Sequence, residues 1–156
     1  MAESTPQAPK GAQGSQARPL NKGPGRVLVA VYGVFALSAG ARASVQIATK
    51  FHEAPLAYTL SALAALVYLV ATVALARSGA RSRRIALAAV GFELVGVLAV
   101  GMASLLDKHA FPEATVWSDF GQGYGYVPLV LPFVGLFWLW HTSRREPVAE
   151  ATAPRD

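Results

Sequence analysis

Four long apolar blocks, set apart by short segments that hold nearly all the charge, constrain this chain more than any other feature. They are Val27 to Ala41, Leu56 to Ala76, Ile85 to Leu106 and Val127 to Trp140. A helix crossing the hydrocarbon core of a bilayer needs about 20 mainly apolar residues, and in lipid a helix satisfies all of its own backbone polar groups. The 156 residues therefore read as all-α, a polytopic membrane protein whose one domain is a bundle of four transmembrane helices. Only 15% of the residues are charged, against about 25% in an ordinary soluble domain. The net charge of +5 does not call for nucleic acid, because the basic residues sit at the ends of apolar blocks, where membrane topology accounts for them.

The spans are expected near 27–48, 56–76, 85–106 and 122–141, inside a transmembrane domain of residues 26–142. Residues 1–25 are rich in Pro, Gln, Gly and Ser and cannot bury enough apolar surface to order themselves, so they read as a disordered segment, as does the tail 143–156. The first block runs on through Arg42 and Gln46. A basic stretch, an apolar run and Ala41-Arg42-Ala43 also fit a cleaved signal peptide, but the long leader and the continuing small residues favour a retained span. The second span is opened by Pro55 and closed by Arg77, after which Arg77 to Arg84 form a polar turn carrying four arginines. The last block is short, about 21 Å of helix. Either its helix begins earlier, near Phe120, with glycines inside it, or the preceding loop packs down into the bundle.

Lysine and arginine set the orientation. Four lie before the first span, four in the Arg77 to Arg84 turn and three in the tail, against Arg42, Lys50 and Lys108 in the other two loops. The positive-inside bias then places both termini and the arginine turn in the cytoplasm. Trp138 and Trp140 fall at the inner boundary, and Tyr58, Trp117, Tyr124 and Tyr126 at the outer one.

Lipid gives helices no hydrophobic reason to associate, so close packing depends on small residues. Gly33 and Gly40 recur along the first span, Ala57, Ser61 and Ala65 along the second, and Ala89, Gly96 and Ala103 along the third. Glu93 falls on the third seam and so faces protein. It lies about 13 Å along its helix from Arg84, where an acidic side chain costs a few kcal/mol unless protonated or partnered. Two roles compete for it: an interhelical tie or half of a buried ion pair, and a proton or cation site. Arg42 shares a face with Ser38 and Gln46 further out, as a polar vestibule or as a side chain snorkelling to outer headgroups. A contact between Arg42 and Glu93 would need tilt or side-chain extension to close a depth difference of about 10 Å.

No motif specifies a reaction. The chain has no cysteine, which removes thiol redox chemistry and thiolate metal sites. His52, Glu53, Asp107, His109, Glu113 and Asp119 are ligand types, but no pair has a helical ligand spacing, so neither a metal nor a cofactor is expected. Ser118, Asp119 and a histidine would need to converge before a hydrolase could be argued. The run Phe120-Gly-Gln-Gly-Tyr-Gly-Tyr126 is not a phosphate loop, because no strand precedes it and no lysine closes it.

The run from Phe111-Pro-Glu-Ala-Thr-Val-Trp-Ser-Asp-Phe-Gly through Pro132, with Gln46-Ile-Ala-Thr-Lys-Phe51, resembles small four-helix integral membrane proteins of actinobacterial type. The resemblance covers roughly residues 25–145, implies the four-span layout and a plasma-membrane location, and carries no activity with it. The role expected is that of a non-enzymatic accessory or scaffold subunit, with the bilayer and a second copy or a larger membrane complex as partners. A small oligomeric transporter or ion-coupled permease using Glu93 is the alternative, and an outward-facing enzyme using the loop histidines and carboxylates a third.

Overall fold

A computed structural model describes residues 23–143. The disordered segments expected at 1–25 and 143–156 fall outside the described residues, apart from Gly23, Pro24, Gly25 and Ser143. The chain folds as α1 (Pro24–Lys50), α2 (Pro55–Ala76), α3 (Ala80–Leu106), a 3-10 segment (Ser118–Tyr124) and α4 (Val127–Ser143), and no strand occurs among the described residues. Three of these helices, α1 to α3, are long and apolar enough to cross a membrane, and a fourth crossing is added if α4 is taken together with the 3-10 segment, from which it bends by 99°.

Several boundaries differ from those expected, each for a local reason. Helix α1 starts at Pro24, not Val27, because Gly23 turns the backbone at φ 72° and Pro24 brings the φ a first-turn residue needs. Gly79, at φ 116°, does the same before α3. The arginine turn therefore shrinks to Arg77, Ser78 and Gly79, and Arg81, Arg83 and Arg84 ride on the first turns of α3. Arg83 Nη2 donates to the carbonyl of Leu139 at 3.3 Å, which ties the start of α3 to the end of α4. The fourth helix begins at Val127, not near residue 122, because Asp119, Phe120, Gly121, Gly125 and Tyr126 all have positive φ and cannot continue a right-handed helix. The loop ahead of α4 packs against α3 instead.

Each helix turns large apolar side chains outward, Val34 on α1, Leu66 on α2, Val95 on α3 and Phe137 on α4. A surface this apolar suits a lipid environment. Inside, α1 packs on α2, α2 on α3, and α3 on both α4 and the 3-10 segment. A Cβ on Gly33 would meet Thr72 Cγ2 at 3.6 Å and one on Gly40 would meet Ala65 Cβ at 3.9 Å, so both glycines face α2. Ala57, Ser61 and Ala65 are buried along α2 and Ala89 is buried on α3, while Ala103 is half-buried. Gly96 meets the loop: the three atoms nearest to a Cβ built on it all belong to the Trp117 indole.

Candidate functional site

Glu93 lies on the inner face of α3 with Ala86, Ala89, Val90 and Val97, at helical spacing, and is 0% exposed. The Tyr32 hydroxyl of α1 donates to Glu93 Oε2 at 2.6 Å. Glu93 Oε1 is buried too and has no hydrogen-bond partner. A Cβ on Gly135 of α4 would come to 3.1 Å from Val90 Cγ1 and 3.4 Å from Tyr32 Oη, so three helices close around the phenol. From α2, the Tyr68 ring lies 6.1 Å from that of Tyr32, centroid to centroid. The Tyr68 hydroxyl accepts the indole N–H of Trp117 at 3.0 Å. Tyr32 of α1, Tyr68 of α2 and Trp117 of the loop thus form a buried chain of aromatic side chains that ends on the Glu93 carboxyl of α3, with Gly135 of α4 packed beside Tyr32.

The loop is built to reach it. Asp107 Oδ1 accepts the backbone N–H groups of His109 and Ala110, both at 3.0 Å, and so turns the chain as it leaves α3. Thr115 and Ser118 exchange side chain to backbone bonds of 2.9 Å in both directions. Ser104 Oγ accepts the N–H of Asp119 at 2.8 Å and donates to the Gly101 carbonyl at 3.0 Å. Two glycines then act as seats on α3: a Cβ on Gly96 would lie 2.6 Å from Trp117 Cζ3, and one on Gly101 would lie 2.6 Å from Phe120 Cδ1. Trp117 is consequently 1% exposed, its ring enclosed by protein. Holding the non-glycine residues Asp119 and Phe120 at positive φ costs about 1 to 3 kcal/mol each.

The other expected polar residues are not brought to Glu93. Arg42 is exposed and its Nη1 donates to Tyr124 Oη at 3.2 Å, so Arg42 and Glu93 have separate tyrosine partners. Ser38, also exposed, bonds back to the Phe35 carbonyl at 3.4 Å. Gln46 Oε1 is buried without a hydrogen-bond partner. Among the described residues no three of His, Asp and Glu gather in a way that could hold a metal ion. Glu53 pairs with Lys50 at 3.9 Å, and the hydrogen bonds of Ser118 Oγ run to Thr115.

Tyr32, Tyr68 and Trp117 are the residues that sequence reasoning missed. Their signal was available in part: Tyr32 and Tyr68 stand inside apolar blocks, and a tyrosine hydroxyl at membrane depth needs a partner. Comparison with known proteins returns no match, whether to family models, curated proteins or solved structures.

Proposed function

We propose that this chain is a four-span protein of the plasma membrane, with both termini and the Arg77 to Ser78 turn in the cytoplasm, acting as a non-catalytic accessory or scaffold subunit. Orientation rests on the lysine and arginine distribution. The observation that carries the role is the state of Glu93, the one acid inside the apolar blocks: it is held by Tyr32 and sealed at 0% exposure, which suits a tie that fixes how helices pack. Association has a face available. Gly33, Ala36 and Gly40 of α1 with Ala65 and Thr72 of α2 line an open apolar groove of about 510 Å³, into which a partner helix could set its ridges. Gentle solubilisation followed by native mass spectrometry tests the proposal. A second copy or a distinct subunit should copurify, and a strictly monomeric species with no partner would refute it.

The second reading, an ion-coupled permease, is favoured by one observation, the unpartnered buried oxygen Glu93 Oε1. It requires flux in reconstituted vesicles that collapses in Glu93→Gln. Undiminished flux in that variant would remove it.

A further inference from the structure

Outside the glutamate site, one cavity carries two charges that the fold itself does not pair. It measures about 370 Å³ and lies between the end of α3 and the loop, bounded by Ser104, Lys108, Phe111, Pro112, Ser118 and Asp119. At ~30 Å³ per water molecule this is room for about a dozen waters, and it exceeds what a free amino acid or a phosphoethanolamine group occupies. Its two hydroxyls are already engaged, Ser104 with the Asp119 N–H and the Gly101 carbonyl, Ser118 with Thr115. The two charges are not: neither Lys108 nor Asp119 forms an ion pair with another described residue. They line one cavity with opposite sign. Asp119 is held there by a backbone at φ 48°, clamped through its N–H, so its place on the wall is fixed at the expense of local strain. Phe111 and Pro112 add an apolar wall beside the charges.

We infer that this cavity binds a small zwitterion, with its ammonium group on Asp119 and its anionic group on Lys108. Ser104 lies ~30 Å along α3 from Arg84, so the cavity opens at the membrane boundary opposite the arginines. Two sources supply that chemistry at such a depth, the headgroup of an ethanolamine phospholipid and a free amino acid. The site is independent of the scaffold role and of Glu93.

The test uses the full chain in nanodiscs and three probes: L-alanine and O-phosphoethanolamine by calorimetry in phosphatidylglycerol discs, and phosphatidylethanolamine admixed into those discs by native mass spectrometry. Wild type should bind at least one of them saturably, and which one identifies the source. Asp119→Asn removes the charge with a residue that accepts positive φ, and Lys108→Gln changes an exposed side chain. Each should weaken binding about tenfold or more with no change in the thermal unfolding midpoint. Absence of saturable binding by all three probes would overturn the inference. So would unchanged affinity in both variants, and so would dependence on only one of the two charges, since a singly charged ligand would then account for the site.

Discussion

Gly96→Ala should destabilise the protein, against the usual direction of a helical glycine-to-alanine change. The added Cβ would lie 2.6, 2.8 and 3.0 Å from three atoms of the Trp117 six-membered ring. Ordinary carbon contacts run at about 3.5 to 4.0 Å, so the indole must move by roughly 1 Å. It cannot move alone, because its N–H is bonded to Tyr68 at 3.0 Å and the following residues are pinned to α3 through Ser104 and Gly101. Overpacking of this kind costs about 1 to 3 kcal/mol, and loss of the indole hydrogen bond adds about 1 kcal/mol. Better helix propensity returns up to ~1 kcal/mol. The net expectation is a loss of about 1 to 3 kcal/mol. Gly91→Ala, where nothing lies within 4 Å of the added Cβ, is the control and should be neutral or slightly stabilising. Unfolding in mild detergent against added denaturing detergent, followed by tryptophan fluorescence, reads both. Repeating Gly96→Ala on a Trp117→Phe background, where the smaller ring leaves space, should recover about 1 kcal/mol or more of the cost. A Gly96→Ala protein as stable as wild type, or one penalised equally in both backgrounds, would refute the seat.

Other outcomes follow from the same geometry. Glu93→Gln keeps an acceptor for Tyr32 and should cost under about 1 kcal/mol, whereas Glu93→Leu leaves the buried phenol unpaired and should cost about 1 to 3 kcal/mol, read in the same unfolding assay. Tyr32→Phe on the Glu93→Leu background should recover most of that cost, because it removes the unpaired hydroxyl. Ala36→Leu, at a half-buried position in the α1–α2 groove, should release the copurifying partner in native mass spectrometry while leaving monomer stability within about 1 kcal/mol. Because the chain has no cysteine, Ser78→Cys and Glu113→Cys each give a single labelling site. An impermeant maleimide applied to intact cells should mark position 113 and spare position 78.

The sequence displays its helices wherever apolar length and a boundary residue coincide, as Pro55 and Arg77 do around α2. It is less clear where backbone geometry decides. Glycine runs before α4 are compatible with a helix or a turn, and only the positive φ of Asp119, Phe120 and Tyr126 separates them. That Glu93 faces protein could be read from Ala89 and Gly96 on the same stripe. Its partner could not, because Tyr32 reaches it from a helix 61 residues earlier in the chain and no local pattern encodes that distance. The burial of Trp117 was not legible for a statistical reason: a tryptophan next to a span usually exposes its ring at the interface, whereas here the space at Gly96 and the Tyr68 hydroxyl receive it. Arg42 illustrates the converse, since its exposure is legible while its bond to Tyr124, 82 residues later, is not.

The indole of Trp117 closes on a phenol 49 residues upstream, in a different helix. That pairing imposes an order on biogenesis. When synthesis has reached the end of α3 at Leu106, the cleft over Gly96 is still open, because the indole that fills it lies 11 residues further on. The packing of α2 and α3 is therefore finished by a residue that follows both in the chain, and any polypeptide ending short of residue 117 leaves that notch empty.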